Sequence, residues 1–145
     1  MRNLKFEAEV VQISIYCNII LTILIKHKEL SVNKLLFFAY IIKKERYIPN
    51  KIYNGNNTQD ILHKCISLIS GDFVEYCNSI QFIIKAIHLL EKNGKIFFEN
   101  NQLRCLEEGR KHKVIYEENL FIEKAIESSK KISDKQFMRE VIQNV

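Results

Sequence analysis

The sequence predicts a mainly helical domain carrying a single β-hairpin, and two observations lead there. Breakers are scarce: 145 residues contain one Pro (Pro49) and four Gly. That favours long helices, and apolar residues do recur at helical spacing over most of the chain. The second observation is the stretch Ser79 to Lys111. It reads as a helix, a strand at about 95–99, a two-residue turn, a strand at about 102–106 and the start of another helix. Asn100-Asn101 at the tip suits the two positive φ angles of a type I′ turn. With 47% hydrophobic and 27% charged residues, the composition is that of one ordinary globular domain.

Glu7 to Lys28 reads as the first helix. Ser14, Asn18 and Thr22 form an i, i+4 polar line. Val11, Ile15, Ile19, Ile20, Ile23 and Leu24 fill the remaining circumference, so the helix is expected to be buried on several sides. Ser31 is placed to cap a second helix, Val32 to Lys44. Its inward face is Leu35, Leu36, Phe38, Ala39 and Ile42, with Lys34, Lys43 and Lys44 outward. Arg46 to Asn57, with Pro49 and Asn54-Gly55-Asn56-Asn57, reads as a loop.

Thr58 is placed to cap a third helix ending near Ile69, and Ser70-Gly71-Asp72 stops it. Phe73 to Asn78 reads as a short helical turn. Ser79 then caps a fourth helix, Ile80 to Lys92, closed by Asn93-Gly94. After the hairpin, Glu107 to Lys113 begins a helix. Val114 to Lys131 and Lys135 to Asn144 follow, the last behind a Ser133/Asp134 cap signal.

Net charge is +5 and uneven. Residues 26–64 carry +5, 65–91 carry −2, 92–113 carry +3 and 114–145 carry −1. The basic stretches offer candidate phosphate contacts at Lys43 and Lys44. Lys outnumbers Arg 17 to 5, in keeping with an AT-rich coding bias.

The four Cys at 17, 65, 77 and 105 show no metal-ligand spacing, so free thiols and no metal are expected, with burial for those in apolar surroundings. Val10 to Ile25 is the most apolar segment. Glu7 and Glu9 abut it, polar residues interrupt it, and no small-residue cleavage site follows. A buried helix of a cytoplasmic protein is the expectation, with no membrane span.

No glycine-rich phosphate loop appears. The His residues at 27, 63, 88 and 112 have no partner at ligand spacing, and Glu107-Glu108 and Glu117-Glu118 point apart on a helix. The chain reads as a non-enzyme without a cofactor.

Two surfaces remain. The fourth helix presents one narrow polar stripe, Gln81, Lys85, His88 and Lys92. Lys95 and Arg104 face each other across the hairpin. Lys43, Lys44, Lys85, Lys92, Lys95 and Arg104 are therefore the candidate DNA contacts. Phe97 and Phe98 point to opposite faces of their strand, so one of them lies outside the hairpin's core. With Phe121, Phe137 and Val141 of the C-terminal helices they are the candidate contacts to a partner. Phe137 is placed on the outward face.

Helices followed by a hairpin and a further helix make the back half of a winged helix-turn-helix, over residues 1–112, with 113–145 a helical extension packed on the domain or on a partner. Three stretches add a narrower likeness: Tyr16-Cys17-Asn18-Ile19-Ile20, Leu30 to Tyr40, and the winged end Leu89 to Ile96 with Leu103 to Gly109. Over residues 5–112 the chain resembles the small middle component of bacterial three-component systems. These are built around an ATPase resembling structural-maintenance-of-chromosomes proteins, the Lamassu-type antiphage defence group. The resemblance implies a non-catalytic subunit bridging that ATPase and its effector, with DNA touched directly or through the complex. A winged-helix transcriptional regulator is the competing class. It implies a homodimer and salt-dependent DNA binding.

Overall fold

The computed structural model describes residues 4–44, 58–106 and 120–144. The loop expected at 46–57, the helix start at 107–113 and the opening turns at 114–119 lie outside the described residues. Within them the order is α1 (Leu4–His27), β1 (Glu29–Leu30), α2 (Val32–Lys44), α3 (Thr58–Ser67), α4 (Phe73–Lys92), β2 (Ile96–Glu99), β3 (Gln102–Cys105), α5 (Leu120–Ser129) and α6 (Asp134–Gln143). The fold is mainly helical, with a small antiparallel sheet in the order β1-β3-β2.

The hairpin follows the sequence reading. Asn100 and Asn101 have φ of 53° and 62°, the left-handed pair that a type I′ turn needs. The third strand has no counterpart in that reading. α1 ends as Lys28 turns into the left-handed region (φ 76°) while its N–H still reaches Leu24 O at 3.0 Å. That single 5→1 bond is an αL cap. It turns Glu29 and Leu30 alongside Arg104 and Leu103.

α4 corrects a second expectation. Phe73 to Lys92 is one continuous helix, not a turn followed by a helix capped at Ser79. The Ser79 hydroxyl donates back to Glu75 O at 3.0 Å, so it sits comfortably inside a helix. Asp72 precedes the helix but makes no side-chain cap bond; its carboxylate pairs with Lys44 instead. By contrast Ser133 does cap α6, accepting from Gln136 N at 3.1 Å.

The core runs through every helix. The second half of α1 contributes Tyr16, Ile19, Ile20, Ile23 and Leu24, all essentially buried. Its first half does not follow: Leu4, Phe6, Val10 and Val11 are 47–69% exposed. The expected burial on several sides therefore holds for the second half of the helix. α2 is buried from Lys34 to Ile42. Phe37 and Phe38 stand edge-on to each other at 5.3 Å, and Phe137 from α6 closes on both at 5.5 and 5.8 Å. Tyr76 extends the cluster to Tyr40 and Phe73.

α5 packs chiefly on α3 and α6 on both α2 and α3, so the extension is part of the same core. Polar contacts bolt it to the end of α1 and the start of α2. Lys26 pairs with Glu123 at 3.0 Å, and His27 Nδ1 meets Glu127. Lys130 donates to the His27 carbonyl, and the Ser31 hydroxyl donates to Asp134 at 2.5 Å.

Lys34, expected outward, is 6% exposed. Its ammonium donates to Ile132 O at 2.7 Å and lies 3.9 Å from Asp134. Burial lowers its pKa, and the Asp134 charge opposes that. Partial burial works against the Glu127 charge. The bond from His27 and the charges of Lys130 and His27 outweigh it, leaving that carboxyl below its ordinary value.

Candidate functional site

The outer face of the sheet carries polar and aromatic side chains in a row. Strand alternation sets which side chains look outward. Ile96, Leu103, Cys105 and Leu30 are buried beneath the sheet. Phe97 faces out, half-buried, with Arg104 directly opposite on β3. Glu29 of β1 stands on the other side of Arg104. Glu29, Arg104 and Phe97 thus form one row across three strands. Phe98 lies on the inner face but at the hairpin tip, and is 52% exposed. The expectation that one of the two Phe lies outside the hairpin's core is met by both, for different reasons.

Arg104 Nη2 sits 2.5 Å from Glu29 Oε2. The guanidinium thus holds Glu29 Oε2 as an ion pair, with both side chains about two-fifths exposed. Beside them is a cavity of about 320 Å³ lined by Lys28, Glu29, Phe97, Arg104, Cys105 and Leu106. Sequence reasoning finds Phe97 and Arg104 but misses Lys28 and Glu29. A two-residue strand has no periodicity, and a left-handed Lys carries no Gly or Asn to announce it.

Lys95 continues the register one outward step from the Phe97–Arg104 pair, with Leu106 N donating to Lys95 O at 2.9 Å, so it shares the outward face with Arg104; the other candidate cations are spread along the helices. Lys44 pairs with Asp72, before the first turn of α4. Lys43 donates to Gln12 and lies 5.2 Å from the Tyr16 ring centroid. Burial lowers the Lys43 pKa against the opposing Glu75 charge. Lys92 is in the last turn of the same 20-residue helix, so the two ends are about 30 Å apart. Lys85, midway, is 4.0 Å from Glu9. Lys95, just before β2, gives its N–H to Leu90 O at 2.9 Å. These six residues form no single patch.

The candidate partner contacts divide as sharply. Phe121 is 7% exposed, and Phe137 and Val141 are fully buried. Placing Phe137 outward is therefore a correction: α6 turns Phe137 and Val141, one turn apart, onto α2 and α3, and the apolar residue left outside is Ile142 at 60%. Leu120 at the start of α5 is also exposed, and further exposed apolar side chains are Leu4, Phe6, Val10 and Val11 of α1 and Val74, Ile84 and Leu89 of α4. α1 and α4 pack on each other.

All four Cys are free thiols, but Cys77 is exposed, not buried. Among the described residues no group of three or more His, Cys, Asp or Glu is placed to hold a metal. α1 alone of the described helices is long and apolar enough to cross a membrane by length and composition. Comparison with protein-family models, curated proteins and solved structures finds no match.

Proposed function

We propose that the chain is a winged-helix accessory subunit without catalysis of its own, acting in the cytoplasm to bridge an ATPase resembling structural-maintenance-of-chromosomes proteins and its effector in an antiphage complex. The observation that carries this is the apolar surface exposed on the amino-terminal half of α1 and along α4: Leu4, Val10, Val11, Val74, Ile84 and Leu89, each 44% or more exposed. Single exposed apolar residues are ordinary, but a set concentrated on two packed helices is what a protein interface looks like before its partner arrives.

The element order and the sheet order β1-β3-β2 suit a winged domain, and the residues resembling the Lamassu-type middle component supply the biological setting. The cations argue against a regulator. Lys44, Lys85 and Arg104 each have an acidic neighbour within the chain, and the exposed face of α4 mixes Gln81, Lys85 and His88 with Ile84 and Leu89. Reading bases needs polar groups free to enter a groove, and phosphate contacts need cations that are not already neutralised.

Co-expression with the products of the neighbouring genes tests the proposal. The expected result is a stoichiometric complex with a large ATPase subunit on size exclusion, surviving a rise in salt, and little retention of duplex DNA by the subunit alone. A free dimer that binds duplex DNA tightly, with affinity falling steeply as salt rises, would replace it with the regulator reading.

A further inference from the structure

The first turns of α1 are open in a way the other helices are not. Leu4 to Ala8 are five consecutive exposed residues. At 3.6 residues per turn that is more than a full circuit, so no side of this part of the helix lies on the core. Packing begins beside Glu9 and Gln12, whose side chains reach Lys85 of α4 and Lys43 of α2. α1 therefore starts as an arm that projects from the domain.

The arm is apolar on two sides. Leu4, Ala8 and Val11 fall on one line at i, i+4 and i+7, which Ile15 carries onto the core. Val10 stands on the other side, three residues before Ile13, which also packs on the core. Leu4 is 69% exposed, Val11 57% and Val10 47%. Each apolar stripe on a helix marks a side that packs. A second copy laid alongside would cover one stripe and leave the other in water. A lipid surface also takes one side, and it favours cations on the opposite one; here Lys5 is outnumbered by Glu7 and Glu9. A groove, with a wall on each side, covers both.

We propose that the amino-terminal arm of α1 inserts into an apolar groove on a partner protein, with Leu4 and Val11 against one wall and Val10 against the other. The inference rests on the accessory-subunit reading for its partner and states how this part of the surface is used. This chain supplies the helix and the partner supplies the groove.

The test is amide hydrogen exchange on the full chain, free and in the complex with the products of the neighbouring genes. Amides 8–11 are the first with acceptors inside α1. They should exchange readily in the free chain and at least about tenfold more slowly in the complex. Leu4→Glu and Val10→Glu place a charge on either stripe. Each should cut the recovered ATPase subunit at least about tenfold at an unchanged melting temperature. Ile142→Glu, on the exposed side of α6, should leave recovery as it is. An assembled complex in which amides 8–11 exchange as in the free chain removes the insertion and leaves the accessory-subunit reading standing. Recovery lost with only one of the two glutamates does the same, because one stripe means a flat contact. Self-association of the free chain that Leu4→Glu abolishes overturns the proposal in favour of a second copy. Binding of the free chain to phosphatidylglycerol vesicles, lost in Leu4→Glu, overturns it in favour of a lipid surface. No complex at all removes the accessory-subunit reading and the groove with it.

Discussion

Replacing Phe137 by Ala should cost about 3–5 kcal/mol, the usual range for emptying a large buried aromatic site. Phe137 is fully buried and meets the Phe37 and Phe38 rings at 5.5 and 5.8 Å. It therefore joins α6 to the middle of α2, and its loss leaves a void between elements about 100 residues apart in sequence. Urea denaturation followed by circular dichroism should show a large drop in the midpoint with little change in slope. Phe137→Glu should be worse, because it buries an unpaired charge. A variant that keeps the wild-type midpoint would place Phe137 outside the core.

The second large effect is alkaline. Burial pushes the Tyr40 phenol up to about 12, with the Glu75 and Tyr16 charges adding to it. Burial likewise pushes Tyr76 up to about 12, with a smaller contribution from Cys77. Tyr16 is raised as well, by burial first, with Ser79 opposing and Glu75 adding.

Below about pH 10 both folded and unfolded chains keep these protons, and stability is unaffected. Above it the unfolded chain releases its protons first, so stability falls as pH rises from 10 towards 12. For Tyr76 the loss across that window is roughly 3 kcal/mol at most. Tyr40 acts in the same direction. Unfolding should therefore set in within that window and coincide with the rise of tyrosinate absorbance. Tyr40→Phe/Tyr76→Phe should remain folded further into it. The Tyr40 hydroxyl is buried without a hydrogen-bond partner, so its removal leaves nothing unsatisfied. Tyrosine titration at an ordinary pKa, with the fold intact, would contradict the packing described for α2 and α4.

Local rules make the helices and the hairpin legible. α2 begins and ends where Ser31 and the apolar period place it, and Asn100-Asn101 turns as its residue types dictate. What is not legible depends on residues far apart. β1 exists because β3, some 75 positions later, offers it an edge. Lys34 is buried because the Ile132 carbonyl and Asp134 come to meet it, and no helical period records that. The candidate site is half visible. Phe97 and Arg104 stand on a hairpin whose alternation can be read directly. Glu29, which neutralises Arg104 and changes its meaning from a phosphate grip to part of a polar row, sits on the strand that local rules miss. The same holds for α6, whose apolar face is plain in the sequence but whose orientation needs α2 and α3 to define it.

The most direct test of the accessory-subunit account separates surface from core on α1. Val11 is 57% exposed on the half of the helix that the core leaves open. Val11→Glu should leave the subunit's melting temperature within about 2–4 °C of wild type, the scale of a 1 kcal/mol change in a chain of this size. It should sharply reduce the amount of ATPase subunit that co-purifies, since a charge placed in an interface anchor costs about 2 kcal/mol or more. Undiminished co-purification with Val11→Glu, or a collapse of the subunit's own stability, would contradict the claim that this face is built for a partner.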